Sequence, residues 1–231
     1  MVRIKRSVGA LAAVAAVPLL IGASGSTATA PTFTNFQLGD LAAETCPSSS
    51  PCQNGQSEPQ IRADSAGAFY GASENGVGGG TEAYRSTDSG QHYLHLLSPN
   101  ETSTTLPGTP GGVGPGGGDV DVATAPQANA TGVDNVYVAS LNLASVAVST
   151  SFDRGTTWKL NATAASFPGD DREWIAADQA SKVCISYRDL PAYAIHVNCS
   201  YDAGASFLQS GDAIDANHTY NRTNFEIGNL A

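Results

Sequence analysis

Basic residues are scarce in this chain, which has 11 Lys and Arg against 21 Asp and Glu and a formal net charge of −10. Proteins that bind nucleic acids or anionic membrane surfaces use Lys and Arg to neutralise phosphates. The composition therefore argues against both kinds of partner.

Several other signals are missing. After residue 30, no segment sustains an apolar period of 3.6 residues, and none is apolar enough to cross a membrane. We therefore predict very low helix content and no membrane association once the first segment has been removed. The chain has no G-x-S-x-G sequence, and its four histidines are scattered. Asp119 and Asp121 lack the spacing of an EF-hand and are expected to be strand-edge or turn groups. No metal or other cofactor is predicted.

The first 30 residues have the pattern of a secretory signal. Arg3, Lys5 and Arg6 precede an apolar run over residues 9–22, and Ala28-Thr29-Ala30 provides an A-x-A cleavage site. No cysteine lies directly after the apolar run, which argues against a lipid anchor. Cleavage would leave eight basic and 21 acidic residues, a net charge of −13. We predict a secreted, extracellular protein.

The four cysteines are compatible with export. Cys46 and Cys52 bracket a small loop in an extended N-terminal segment, residues 31–57. Cys184 and Cys199 lie in two alternating runs, which a single hairpin would bring opposite each other. The preferred pairs are 46–52 and 184–199, although four cysteines allow three connectivities.

One eight-residue pattern, S-x-D-x-G-x-x-aromatic, occurs three times, at 86–93, 151–158 and 200–207. The glycine suits a turn residue with positive φ, and the aspartate can accept hydrogen bonds from backbone N–H groups of the turn. The aromatic residue is placed to pack beneath the hairpin. A structural role is therefore favoured over a catalytic one for the pattern residues, which are Asp88, Gly90, Tyr93, Asp153, Gly155, Trp158, Asp202, Gly204 and Phe207.

Each copy falls between the third and fourth of four short candidate strands. The repeating units span about residues 58–106, 107–167 and 168–215, and residues 224–231 resemble the first strand of a fourth unit. Together they predict an all-β chain, namely an incomplete β-propeller of four-stranded antiparallel blades. The candidate strands are Pro59–Asp64, Ala68–Ser73, Thr81–Ser86, Tyr93–Leu97, Val120–Thr124, Val136–Ser140, Ser145–Ser149, Thr157–Leu160, Trp174–Ala177, Lys182–Tyr187, Ala194–Ser200 and Ser206–Gln209.

The repeated pattern, with the D-R-E-W-I-A-A-D run at 171–178, resembles the BNR or Asp-box propellers of the sialidase superfamily, in particular secreted bacterial exo-α-sialidase-like proteins. The resemblance covers about residues 58–231. It implies a propeller fold, but the superfamily includes glycosidases, lyases, receptors and non-catalytic propellers. Propellers close with about four to eight blades. We therefore expect a partial chain that needs further blades or a partner chain, with self-assembly of partial propellers as the alternative.

A ligand site is expected on the face opposite the Asp-boxes, where the turns between second and third strands and the long connections lie. The densest charge cluster, residues 170–173, falls in the connection into the third unit. Its carboxylates and arginines could act on a sugar, but solvated turn charges with a local Arg–carboxylate pair are the simpler interpretation. The candidate catalytic residues are Asp171, Arg172 and Arg62, and the candidate ligand-binding residues are Glu74, Arg188 and Asp189.

The resemblance also implies an arginine triad, a Tyr nucleophile paired with a Glu, and an Asp acid/base. The F/Y-R-I-P motif is absent, and Gln60-Ile61-Arg62 is the nearest match. The expected function is a sialidase-like exo-glycosidase acting on extracellular glycans or cell-surface polysaccharide, inactive as this chain alone. The alternatives are a non-catalytic propeller that binds glycan or protein at the cell surface, and an extracellular structural repeat protein.

Overall fold

The computed structural model describes residues 57–74, 80–100, 116–142, 145–165, 169–215 and 217–218. All of these belong to one compact unit, Asn35–Ala231. The predicted signal segment, the Cys46–Cys52 pair and the start of a fourth unit lie outside the described residues.

Every regular element in the described ranges is a β-strand. The strands form three antiparallel sheets of four, and within each sheet they follow the order of the chain. The predicted all-β architecture of propeller blades is therefore confirmed. The strands of sheet 1 are β1 (Ser57–Ala63), β2 (Phe69–Glu74), β3 (Thr81–Ser86) and β4 (Leu94–His95). Those of sheet 2 are β5 (Val120–Ala128), β6 (Asp134–Leu141), β7 (Val146–Ser151) and β8 (Lys159–Ala165). Those of sheet 3 are β9 (Asp170–Asp178), β10 (Lys182–Asp189), β11 (Ala194–Ser200) and β12 (Gln209–Asp212).

Sheet 2 is covered on both faces, and the alternation along β5 shows how. Val120 and Val122 join an apolar cluster that contains Tyr70 of sheet 1. Ala123 and Ala125 join a second cluster shared with sheet 3. Successive side chains of a strand point to opposite faces, so one strand supplies both interfaces. The core is thus a pair of apolar layers between neighbouring blades. Among the described residues there is no helix long and apolar enough to span a membrane.

The three Asp-box hairpins share one hydrogen-bonding pattern. In the second copy, the Ser151 Oγ accepts a hydrogen bond from the Gly155 N–H at 2.7 Å, and the Asp153 Oδ1 accepts one from the Thr157 N–H at 2.8 Å. The glycines at this position have φ between 81° and 83°, and the residues before them, Ser89, Arg154 and Ala203, also have positive φ, of 58–62°. Two consecutive left-handed residues give the tight turn that joins twisted antiparallel strands.

The Asp-box hairpins also join neighbouring blades. The Thr150 Oγ1 of sheet 2 donates a hydrogen bond to the Ala203 carbonyl of sheet 3 at 2.8 Å. At the equivalent position of sheet 1, the Arg85 Nη1 donates to the Arg154 carbonyl of sheet 2 at 2.7 Å. The second and third hairpins are therefore each fastened to the blade that precedes them.

The boundaries of several elements differ from those predicted. Residues 170–173 were expected in a connection, but β9 begins at Asp170, and Asp170, Asp171 and Glu173 pair with the end of β10. Arg188 and Asp189 were expected in the turn after the second strand and instead belong to β10. Charged residues usually indicate loops, whereas here Asp170, Glu173 and Asp189 are buried strand residues. Strands β8 and β12 begin later than predicted. Cys184 and Cys199 lie opposite each other on β10 and β11 and form a disulfide.

Candidate functional site

The first strand of each sheet lies next to the first strand of the neighbouring sheet. Strand β5 packs against both β1 and β9. The Thr124 Oγ1 donates a hydrogen bond to the Ala63 carbonyl of β1 at 2.8 Å. On its other side, β5 presents Asp121, whose Oδ2 accepts a hydrogen bond from the Ile175 N–H of β9 at 2.9 Å. The three innermost strands therefore lie side by side, and each begins at the end of its sheet opposite the Asp-box.

Arg172 lies at a bulge in β9. Its neighbours on either side pair with consecutive residues of β10, so Arg172 itself has no partner in that ladder, and its φ is 47°. A bulge redirects the side chain of the extra residue. The guanidinium forms an ion pair with Glu58 of β1 and lies 3.5 Å from the Asp119 Oδ2 at the start of β5. Its central carbon is 4.2 Å from the centre of the Trp174 ring. Arg172 thus contacts acidic groups from both other sheets.

The side chain of Asp121 is completely buried where β5 packs against β9. Its carboxyl group accepts hydrogen bonds from the N–H groups of Val122 and Ile175, both at 2.9 Å, and from Arg62 at 3.4 Å. Burial raises the pKa of Asp121, while these hydrogen bonds and the charge of Arg62 act in the opposite direction. The carboxyl group therefore holds both the β5–β9 contact and the Arg62 side chain.

Glu173 is fully buried, and neither oxygen of its carboxyl group has a hydrogen-bond partner among the described residues. The pKa of Glu173 lies well above its ordinary value, mainly because the carboxyl group is buried and secondly because of the nearby charge of Asp119. A buried carboxyl without a donor is far more stable as the neutral acid. Burial therefore favours the protonated form of Glu173.

These groups make up what we call the first-strand cluster, namely Glu58, Arg62, Asp119, Asp121, Arg172 and Glu173. The cluster has two layers. The side chains of Glu58, Arg62, Asp119 and Arg172 are 46%, 31%, 22% and 22% exposed, whereas the Asp121 side chain is 0% exposed. Glu173 is also 0% exposed. A ligand would meet the exposed arginines and carboxylates, with two buried carboxyl groups beneath them.

A second polar group lies at the same end of sheet 3. Arg188 forms an ion pair with Asp171. Asp170 lies opposite Asp189 in the β9–β10 ladder, and burial together with the charge of Asp189 raises the pKa of Asp170 to about 7. His196 bridges two carboxylates, with its Nε2 at 3.2 Å from the Asp189 Oδ2 and its Nδ1 at 2.9 Å from an oxygen of Asp212.

Five of the six predicted site residues divide between these two groups. Arg62 and Arg172 belong to the first-strand cluster, whereas Asp171 turns away to Arg188. Glu74 is the last residue of β2. Arg188 and Asp189 lie with the second group.

Sequence reasoning did not select Asp119, Asp121 or Glu173. Asp121 alternates with Val120 and Val122 in β5, which places it on the face of the strand directed towards sheet 3. The alternation of Asp121 with two valines is the sequence signal that could have identified this residue. In the described part of the chain, no group of three or more His, Cys, Asp or Glu residues is arranged to hold a metal ion.

No family model matches the sequence, and no curated protein sequence matches it. Among solved structures, the Penicillium chrysogenum α-L-arabinanase complexed with arabinobiose is 15% identical, with a TM-score of 0.48 over 69% of this chain and 50% of its own. A Hadza microbial sialidase is 15% identical, with a TM-score of 0.42 over 68% and 37%. A variant of the Aleuria aurantia lectin complexed with a fucosyl-GlcNAc is 13% identical, with a TM-score of 0.44 over 67% and 45%. The chain spans half or less of the length of these proteins.

Proposed function

We propose that this chain is part of a secreted, sialidase-like propeller that binds extracellular glycans at the first-strand cluster, and that the complete protein hydrolyses glycosidic bonds. The observation that carries the proposal is the buried Glu173 carboxyl group, whose pKa is raised well above its ordinary value by burial and by the charge of nearby Asp119. Glycoside hydrolysis uses two carboxyl groups, one as the acid and the other ionised. A carboxyl group whose pKa is raised by burial and by a specific neighbouring charge is typical of acid/base sites.

Five of the six members of the cluster have a role in this proposal. Arg62, Arg172 and Asp119 are partly exposed and can exchange hydrogen bonds with sugar hydroxyl groups. Asp121 holds Arg62 in place and joins β5 to β9. Glu173 supplies the proton. Secretion is proposed from the signal pattern of residues 1–30, and the Cys184–Cys199 disulfide supports an oxidising compartment. The closer assignment to exo-α-sialidases rests on the Asp-box resemblance alone.

The second candidate function is glycan binding without catalysis. The observation that favours it is the complete burial of Asp121 and Glu173, because a general acid must approach the glycosidic oxygen within hydrogen-bond distance. A site with a buried proton and an exposed layer of Arg–carboxylate pairs can bind sugar hydroxyls without cleaving the sugar. Binding is common to both candidates, and turnover separates them.

Binding of the full chain to immobilised extracellular glycans is the first test. The wild type should bind, and Arg172→Ala should weaken binding by at least about tenfold, since it removes the guanidinium that links three sheets. The matched control is Asp178→Asn at the far, exposed end of the same strand, which should leave binding unchanged.

Turnover by the complete protein is measured in parallel with a panel of fluorogenic sialosides and neutral glycosides. The rate of fluorophore release should fall at least about 100-fold in Glu173→Gln and stay unchanged in Asp178→Asn. That result would support hydrolysis with Glu173 as the acid. Binding without release would support the non-catalytic candidate. If the wild type neither binds nor cleaves any glycan, the proposed function is wrong.

A further inference from the structure

Both arginines of the first-strand cluster are already paired with carboxylates. Arg172 lies between Glu58 and Asp119. Arg62 donates to the Asp121 Oδ1 at 3.4 Å and to the carbonyl of Ile61 at 2.9 Å. Recognition of a sugar carboxylate or sulfate depends on a guanidinium that can offer its parallel N–H groups to the anion. Each guanidinium is already partly neutralised by a protein carboxylate, which weakens the attraction that it can offer to an anionic ligand.

The charge balance of the cluster is unfavourable to an anion as well. The cluster contains four carboxyl groups and two guanidinium groups. Carboxyl groups therefore outnumber guanidinium groups by two to one. Even if Asp121 and Glu173 are both protonated, Glu58 and Asp119 balance the two guanidinium ions, so the cluster has no excess of positive charge. Asp121 is completely buried, where a charge is screened less by solvent than at the surface.

Neighbouring groups do not reverse this balance. Arg188, the next arginine at this end of the sheets, forms an ion pair with Asp171, and Asp170 and Asp189 lie beside it. The other basic residues of the described ranges, Arg85, Arg154, Lys159 and Lys182, lie in or near the turns at the Asp-box end. These four residues therefore lie away from the beginnings of β1, β5 and β9, where Glu58, Asp119 and Arg172 meet.

We infer that the first-strand cluster selects uncharged glycans and discriminates against sugars that carry a carboxylate or sulfate, sialic acid included. Neutral sugar hydroxyls can donate hydrogen bonds to Asp119 and Glu58 and accept them from Arg62 and Arg172 without breaking the existing ion pairs. A bound anion adds negative charge beside Asp119, which like-charge repulsion opposes. This inference rests on the proposed function, and it narrows the substrate class that the Asp-box resemblance implies.

The direct test is a microarray of paired oligosaccharides that differ only in a terminal sialic acid, a uronate or a sulfate, probed with the fluorescently labelled full chain. Each neutral member should bind at least about tenfold more tightly than its anionic partner. Tighter binding of the anionic members would overturn the inference and leave the proposed glycan site standing. Binding to no member would remove the proposed function and the inference with it.

Ionic strength gives a second readout that needs no variant. The affinity for an anionic glycan should rise between about 20 and 300 mM NaCl, because salt screens the repulsion from the cluster. The affinity for its neutral partner should stay nearly constant. A fall in anionic affinity over the same range would indicate that the arginines attract the anion, and would contradict the inference.

A double variant that replaces two carboxylates by uncharged amides tests the roles of Glu58 and Asp119. Glu58→Gln/Asp119→Asn keeps the side-chain shapes and removes the two carboxylates that hold Arg172. The preference for neutral over anionic glycans should shrink at least about threefold in this variant and remain unchanged in Asp178→Asn. An unchanged preference in a double variant that melts like the wild type would exclude Glu58 and Asp119 as its source.

Discussion

The carboxyl group of Asp121 accepts a hydrogen bond from the backbone N–H of Ile175 at 2.9 Å and thereby joins the innermost strands of sheets 2 and 3. An acidic residue of the candidate site is therefore also a structural link between two blades. Asp121→Ala would leave the buried N–H groups of Ile175 and Val122 without this acceptor. We expect the free energy of unfolding to fall by at least ~2 kcal/mol, measured by urea denaturation.

Asp178→Ala is the control for that variant. Asp178 lies at the exposed end of β9, where it pairs with Lys182, and the variant should change stability by no more than about 0.5 kcal/mol. Equal losses for Asp121→Ala and Asp178→Ala would show that the interblade hydrogen bond contributes little.

Gly204 of the third Asp-box tests the contact between a hairpin and the preceding blade. Its φ is 83°, and an added Cβ would lie 2.7 Å from the Thr150 Oγ1. That hydroxyl is held by its own hydrogen bond to the Ala203 carbonyl. Gly204→Ala should therefore lose about 2–4 kcal/mol of stability, through backbone strain together with a steric clash.

Gly132→Ala separates strain from clash, because Gly132 has a similar φ of 81° and an added Cβ would meet nothing within 4 Å. Gly132→Ala should lower the free energy of unfolding by about 1 kcal/mol, which is the contribution of backbone strain alone. Thermal and urea denaturation of both variants provide the comparison. If Gly132→Ala were as damaging as Gly204→Ala, the packing of the hairpin against sheet 2 would not explain the effect.

The Cys184–Cys199 disulfide closes a loop with a sequence separation of 15 residues. A loop of that length corresponds to about 3 kcal/mol of stabilisation, through a less disordered unfolded chain. The double variant Cys184→Ala/Cys199→Ala should unfold at lower urea concentration and keep its strand register, which the surrounding β10–β11 pairs maintain. Reduction of the wild type should produce the same shift, and a shift absent from both would contradict this account.

Asp170 should make stability depend on pH. Its pKa rises from 3.8 to about 7 in the folded protein, because of burial and the charge of Asp189. The folded state therefore binds this proton more tightly than the unfolded state, so the contribution is complete below pH 4 and is lost as pH rises towards 7. Asp170→Asn mimics the neutral acid, and it should raise the melting temperature by at least ~2 °C at pH 8 and change it little at pH 4.

Melting curves at pH 4, 6 and 8 for the wild type and Asp170→Asn give this comparison. Because Glu173 also has a raised pKa, the variant should retain part of the pH dependence. A lower melting temperature of Asp170→Asn at pH 8 would mean that the ionised carboxylate is stabilised by contacts that the asparagine cannot reproduce.

The sequence predicted the blades well, because the signals for them are local. The S-x-D-x-G spacing identifies each hairpin, and the two alternating runs around Cys184 and Cys199 predict their cross-strand position. The positive φ of Ser89, Arg154 and Ala203 was not predicted, since none of these residues is glycine.

The site was predicted only in part, because it depends on contacts between sheets. Arg62 and Asp121 are far apart in the chain and meet only when β1 packs against β5. The bulge that directs Arg172 away from Asp171 depends on the register of β9 with β10. Residues 170–173 have the composition of a loop, and only the packing of sheet 3 against sheet 2 buries Glu173 in a strand.

Hydrogen–deuterium exchange of the full chain, with and without the neutral oligosaccharide that binds best on the array, tests the central claim most directly. The account predicts slower exchange in peptides that contain residues 119–122 and 171–175, and unchanged exchange in the Asp-box hairpins at 86–93, 151–158 and 200–207. Protection confined to the hairpins, with none at the first-strand cluster, would contradict it.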